Sequence, residues 1–190
     1  MELKVRGSLF LVTRIFLIEK LGEKNYKEKL KEFSQEISKF LEGEIIEALF
    51  YPYELLKLLH KEIFEKIFKG DIKKFREIGK YSIKREFERG SFRELFKKTD
   101  IKTYIYQVGS MVYNYFYSFG KFEIKSAELE NKKIVIHITD MPDIDFFCEE
   151  RIRGALEAAG EIKGFKEIKV DITKRVSKGD NLLEYVITYK

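Results

Sequence analysis

The period of the sequence changes at Gly120. Before it, apolar residues recur every three or four positions, the spacing that puts them on one face of a helix. After it they alternate, as in strands with one buried face. A chain whose helices come first and whose strands come last is α+β, because alternating βαβ units would be needed for a parallel sheet. The sequence therefore predicts an N-terminal helical layer, about 1–119, packed on a C-terminal antiparallel sheet, about 120–190, in a single domain over 1–190.

Within the helical part, Leu9, Val12, Ile15 and Phe16 mark a first helix that Gly22 ends. Tyr26, Leu30, Phe33, Ile37 and Phe40 or Leu41 share a face of a second helix, read as continuous from Asn25 to Leu41. Tyr51-Pro52 forms a boundary, since the residue before proline avoids helical dihedrals and proline suits a first helical turn. The next helix runs from Pro52 to Phe68, ending at Gly70. Asp71 caps a fourth that continues to Arg89. Gly90-Ser91 breaks the chain again, with Ser91 and Glu94 spaced as a capping box. A helix from about Asp100 to Phe119 is unusually aromatic.

In the second part, Phe122 to Leu129 and Lys133 to Thr139 form a hairpin around Asn131. Asp145 caps a helix from Phe146 to Ala159 that Gly160 ends, and strands Glu167–Arg175 and Leu182–Tyr189 flank a Ser177-Lys178-Gly179-Asp180 turn. The layout is hairpin–helix–hairpin.

Composition narrows the function class. There are 37 Lys+Arg against 32 Asp+Glu, but the signs interleave, as in Glu28, Lys29, Lys31, Glu32, Glu36 and Lys39. That pattern belongs to solvated helix faces with pairs three or four apart, whereas nucleic-acid binders concentrate positive charge in a patch. No nucleic-acid partner is expected. The Lys/Glu bias is also that of proteins from very hot environments. Cys148 is the one cysteine, which excludes an intramolecular disulfide and suits a reducing cytoplasm. Apolar runs such as Leu9–Val12 break long before the ~18 residues a membrane span requires.

Motifs for chemistry are sparse. The sequence holds no Gly-rich phosphate loop, HExxH or CxxC. His60 shares a helical sector with Leu56, Phe64 and Ile67; it reads either as a buried, hydrogen-bonded histidine or as a ligand in an apolar cavity. His137 lies on the strand face of Val135 and Thr139, opposite Ile134, Ile136 and Ile138, and reads as a solvent-side residue. Cys148 falls in the first turn of a helix, where a thiol can be activated, but Glu149 and Glu150 oppose a thiolate and the residue reads as a small packed hydrophobe. Asp140, Asp143 and Asp145 lack the ligand order of a calcium loop and suit turn and cap duties. No catalytic residue, metal ligand or cofactor is assigned.

The aromatic helix has two readings. One is a core helix serving both layers. The other is that Tyr104, Val108, Val112, Tyr115 and Phe119 line an apolar pocket, or a dimer seam, with tyrosine hydroxyls orienting a ligand.

The order of motifs resembles a superfamily that joins haem-nitric-oxide-binding domains, the 4-vinyl reductase domain and the vesicle-tethering TRAPP subunits, and more closely an uncharacterised bacterial branch of it. The matching pieces are Gly7 with Arg14 and Leu21-Gly22, Tyr51-Pro52-Tyr53-Glu54, Gly70-Asp71, Ile78-Gly79, Asp140-Met141-Pro142, Cys148, Gly154-Ala155-Leu156-Glu157, Gly160, Lys178-Gly179-Asp180 and Glu184-Tyr185-Val186-Ile187. The resemblance implies helices on an antiparallel sheet enclosing an apolar cavity that can hold haem, a fatty-acyl chain or another apolar molecule. It also shows departures. The Tyr-x-Ser-x-Arg motif that holds haem propionates has its nearest counterpart in Tyr81-Ser82-Ile83-Lys84-Arg85, with the serine displaced. Leu182-Leu183 stands where many 4-vinyl reductase domains carry a cysteine, and Cys148 lies later than the acylated cysteine of the tethering subunits.

Together these readings predict a cytoplasmic, non-catalytic, homodimeric module that binds a small apolar molecule through Leu56, His60, Tyr104, Val108, Val112, Tyr115 and Phe119. The alternative is a protein-interaction scaffold with a solid core, similar to vesicle-tethering subunits.

Overall fold

The computed structural model describes residues 2–89 and 92–190. The fold is α+β, as the change of period predicts, with all α-helices but one long one preceding a four-stranded antiparallel sheet. The chain divides into two compact units, Met1–Lys74 with Phe116–Ser118, and Phe75–Tyr115 with Phe119–Lys190.

In the first unit, strand β1 (Lys4–Arg6) pairs antiparallel with β2 (Phe50–Pro52), Lys4 opposite Pro52, and Val5 bridges to Tyr117. Neither strand was legible in the sequence, because three residues are too few to show alternation. Helix α1 (Gly7–Leu21) buries Leu9, Phe10, Val12, Phe16 and Leu17. Gly22 ends it at φ 78, its amide donating to the Ile18 carbonyl at 2.8 Å.

The helix expected from Asn25 to Leu41 is two helices, α2 (Glu23–Leu30) and α3 (Gln35–Glu42). The break falls at Ser34, whose hydroxyl accepts from the Ile37 amide as an N-cap. Its own amide donates to both carboxylate oxygens of Glu62, at 3.1 and 2.9 Å. Glu62 sits on α4 (Tyr53–Lys66), so the partner that stops the helix lies 28 residues downstream. Lys66, one turn beyond Glu62, pairs with it at 2.8 Å and donates to the Glu32 carbonyl.

The second unit contains most of α5 (Lys73–Arg89), then α6 (Arg93–Lys98), a single turn α7 (Ile101–Thr103), a π-helical turn (Tyr104–Val108) and most of α8 (Gly109–Phe116). Asp71 receives the Lys73 amide, as its capping position predicts. The expected capping box at Ser91 lies outside the described residues. Strands β3 (Lys121–Glu128) and β4 (Lys133–Thr139) form one hairpin, β5 (Lys169–Lys174) and β6 (Leu183–Thr188) the other. The hairpins join through β4 and β6, giving the order β3-β4-β6-β5. Ile134, Ile136, Ile138, Leu183, Tyr185 and Ile187 are buried on this sheet.

Helix α9 (Phe146–Lys163) links the hairpins. Asp145 caps it as expected, accepting from the Cys148 amide at 2.6 Å. The expected stop at Gly160 is incorrect: the helix runs to Lys163 and ends at Gly164, at φ 97. Gly160 is buried inside the helix, and a Cβ there would overlap the Ile168 side chain. The glycine serves close packing, not termination. Among the described residues no helix is long and apolar enough to cross a membrane.

Candidate functional site

The aromatic segment of the second unit begins at Asp100, which accepts from the Thr103 amide at 3.0 Å and hydroxyl at 2.6 Å. A π-helical turn follows over Tyr104–Val108. Such turns add a residue to the helical repeat and recur at functional sites. Its start is clamped to α9: the Tyr104 hydroxyl donates to the Ala159 carbonyl at 2.8 Å, and the Lys163 ammonium lies 5.1 Å from the Tyr104 ring centroid. The same ammonium donates to the Phe96 and Thr99 carbonyls, closing the end of α6. One turn on, the lack of a side chain at Gly109 admits the Phe122 ring of β3. The Tyr113 hydroxyl donates to the Phe119 carbonyl at 3.0 Å.

Of the residues expected to line a pocket, Tyr104, Val108 and Phe119 are buried, and Val112 and Tyr115 are half-buried, all in the second unit. Leu56 and His60 are fully buried on α4 in the first unit. Tyr113, not among the expected residues, is buried beside Phe122, ring centroids 5.8 Å apart. Its place could have been read from the four-residue offset with Gly109, which puts both against β3.

Three buried tyrosines of this unit share one chemistry. Tyr104, Tyr113 and Tyr185 each donate to a backbone carbonyl, of Ala159, Phe119 and Glu149 respectively. Burial pushes all three phenols far above their usual 10, with Cys148 adding to the effect at Tyr113 and Tyr185. They are neutral hydrogen-bond donors at every physiological pH.

A polar network surrounds the first turn of α9. Glu149, fully buried, accepts from the Ser177 amide at 2.9 Å, the Ser177 hydroxyl at 2.8 Å and Arg175 Nη1 at 2.9 Å. Arg175 Nη2 reaches Glu150 at 2.5 Å, and the Arg175 amide donates to Asp180 at 2.6 Å. One guanidinium thus bridges two adjacent carboxylates and ties the β5–β6 turn to the helix. Cys148 is fully buried next to them, which agrees with its reading as a packed hydrophobe. Farther along α9, the buried Glu157 receives Arg76 Nε at 2.6 Å and Lys80 Nζ at 3.2 Å. Arg151, 2% exposed, donates to the Ser82 hydroxyl of α5 at 3.3 Å. Sequence patterning did not identify these charges as buried, because an isolated Glu or Arg is normally exposed.

His137 lies on the strand face opposite the buried isoleucines, as expected, but it is part-buried and engaged. Its Nε2 is 2.6 Å from Glu184 Oε2 on the neighbouring strand. Glu184 also accepts from the Thr173 hydroxyl at 2.7 Å and pairs with Lys174 at 3.6 Å. The Thr173 hydrogen bond, helped by His137 and Lys174 and opposed by burial, holds its carboxyl below the usual range. Among the described residues no three His, Cys, Asp or Glu side chains gather as a metal ion would require.

No protein-family model matches the sequence, and no curated protein matches it. Solved structures do. An H-NOX protein from S. oneidensis in the Fe(II)NO ligation state shares 14% identity, with a TM-score of 0.71 over 97% of this chain and 99% of that chain. The Cs H-NOX carrying 4-cyano-L-phenylalanine at site 5 shares 16%, with a TM-score of 0.70 over 97% and 96%. An oxygen-binding H-NOX domain related to soluble guanylate cyclases shares 16%, with a TM-score of 0.67 over 97% and 95%. The chain has the fold of H-NOX domains along nearly its whole length.

Proposed function

We propose that this chain is a non-catalytic, cytoplasmic, homodimeric module that binds a small apolar molecule for a sensory purpose, without haem. The observation that carries the reading is the aromatic segment, whose buried Tyr104 and Tyr113 hydroxyls are spent on backbone carbonyls. What remains for a ligand on that segment is ring face and aliphatic surface, including half-buried Val112 and Tyr115. The proposed contacts are Tyr104, Val108, Val112, Tyr115 and Phe119 of the second unit; Leu56 and His60, expected with them from the sequence, belong to the core of the first unit.

The neighbours in fold are described with Fe(II), NO or oxygen bound, so haem is the group the fold implies. The histidine and the buried tyrosines of the second unit do not fit it. Haem iron takes an axial His, Cys, Met or Tyr. His137, the second unit's one histidine, is engaged with Glu184, and the three buried tyrosines of that unit are held protonated as donors to carbonyls. The counterpart of the propionate motif, Tyr81–Arg85, lies within α5. There Ser82 donates to the Ile78 carbonyl and accepts from Arg151, and Lys84 pairs with Glu161 at 2.9 Å. Ser82 and Lys84 are thus engaged within the protein, whereas Arg85 Nε is buried with no hydrogen-bond partner. The engagement of these groups favours reading the chain with the 4-vinyl reductase and TRAPP-like branches of the superfamily it resembles.

Native mass spectrometry and organic extraction of the purified protein test this reading. The expected result is a released apolar molecule of defined mass and no stoichiometric Soret band on titration with haemin. A monodisperse protein that carries and takes up no apolar molecule, or a sharp one-to-one Soret titration, overturns it.

A further inference from the structure

Helix α6 has six residues, far fewer than the roughly 12–15 an isolated helix needs to persist in water. Its N-cap, Phe92, supplies no side-chain hydrogen bond. Of the six residues Phe96 is buried, Leu95 half-buried and the other four exposed. What keeps the helix in place is therefore a short set of contacts. The Phe96 ring lies 5.3 Å from Tyr104 and 6.1 Å from Phe87 between centroids, and the Phe92 ring lies 5.2 Å from Tyr115. At the N-terminal end Arg93 donates to the Glu88 carbonyl at 2.6 Å. At the C-terminal end Lys163 Nζ of α9 donates to the Phe96 carbonyl at 3.1 Å and to the Thr99 carbonyl. Thr99 itself is extended, at φ −81 and ψ 134, and Asp100 then caps the next helical turn. Tyr104 and Tyr115, the rings against which α6 lies, are both proposed ligand contacts.

We propose that α6 is the lid of the apolar site and that Lys163 is its latch. This lid presupposes the binding function proposed above and gives that site its route of entry. A segment that opens for a ligand is drawn from the less stable part of a fold, where few apolar contacts are buried, and it turns on residues at the ends of elements. Helix α6 has the first property, and the extended Thr99 at its end supplies the second. Opening carries the Phe92 and Phe96 rings away from Tyr115 and Tyr104 and leaves those two faces to a ligand. The latch is one ammonium at the C-terminal ends of two helices: Lys163 is the last residue of α9, and it reaches the last carbonyls of α6. Hydrogen bonds from a charged donor contribute more than neutral ones, so this side chain weighs heavily on a helix with so few other ties. Its loss frees the end of α6, while α9 keeps its stop at Gly164.

Stopped-flow binding of the apolar dye Nile red to the full chain, with hydrogen exchange followed over residues 93–99, tests the lid. Lys163→Met is expected to quicken exchange there and to raise both the association and the dissociation rate of the dye by about tenfold or more, as the loss of charged hydrogen bonds implies. Its Kd should stay within about twofold of wild type, because a lid that opens more often speeds entry and exit alike. Phe92→Leu leaves α9 untouched and loses the ring contact to Tyr115, and is expected to act in the same direction. Lys98→Met removes an exposed charge of the same helix, paired with Glu94 at 2.6 Å, and is expected to leave both rates unchanged. Faster exchange in Lys163→Met with unchanged dye rates overturns the lid. So does a weaker Kd with no gain in association rate, which would make α6 a fixed wall of the site. Unchanged exchange overturns the latch. A wild type that takes up no dye overturns the apolar site itself, and the lid with it.

Discussion

Gly79 of α5 and Gly154 of α9 let the two helices meet backbone to backbone: a Cβ on Gly79 would overlap the Arg151 carbonyl oxygen, and a Cβ on Gly154 would overlap the Arg76 carbonyl oxygen. Each glycine thus admits the backbone of the other helix, and the approach brings Arg76 and Lys80 to the buried Glu157 and Arg151 to Ser82. Gly79→Ala and Gly154→Ala should each destabilise the protein by about 3 kcal/mol or more, since backbone must move to relieve the overlap. Gly160→Ala should cost less, about 1 kcal/mol, because the obstructing atom is the flexible end of Ile168. Urea midpoints of the three variants give the ranking.

Arg175 bridges Glu149 and Glu150, and Glu149 is fully buried. Removing the guanidinium leaves that carboxylate with Ser177 alone. Arg175→Ala should cost about 3 kcal/mol, as expected when one partner of a buried pair is lost. The double variant Arg175→Met with Glu149→Gln should recover a large part of this, because no buried charge is then unpaired. Denaturant titration of the single and double variants reads the difference.

Much of the fold was legible because its boundaries are marked by residues acting locally. Gly22, Asp71, Asp100, Asp145 and Gly179 end or begin elements through hydrogen bonds within a few residues, or through a positive φ at the two glycines. The features that escaped depend on distant partners. The break at Ser34 is held by Glu62, the strand at Lys4–Arg6 exists by pairing with Phe50–Pro52, and Gly160 is needed because Ile168 packs on it. The buried Glu149, Arg151 and Glu157 escaped for the same reason: each is stabilised by groups far along the chain. Of the candidate site, the aromatic segment and its buried face were readable; the commitment of its hydroxyls to backbone carbonyls was not.

The Tyr104 hydroxyl anchors the π-helical turn to Ala159. Tyr104→Phe keeps the ring against Phe96, 5.3 Å between centroids, and removes only the donor. Stability should fall by about 1 kcal/mol, the net worth of one hydrogen bond. Hydrogen exchange should quicken over residues 104–108 more than in β4, which would localise the loss to the turn.

Glu62 gives the acid limb of stability a specific origin. Burial acts against its charged form, but the hydrogen bonds from Lys66 and Ser34 outweigh it, and its carboxyl is held below the usual 4.5. A folded pKa below the unfolded one means that the unfolded state binds the proton first as pH falls. The stabilisation is therefore complete above the unfolded pKa and is lost as pH drops through the folded one. The melting temperature of the wild type should fall with acid from about pH 5 downward. Glu62→Gln should be less stable at neutral pH, where the charged contacts to Lys66 and to the Ser34 amide are lost, and its melting temperature should fall less steeply with acid. Equal acid slopes for variant and wild type would show that the Ser34 break of α2 from α3 is held by something other than the Glu62 charge.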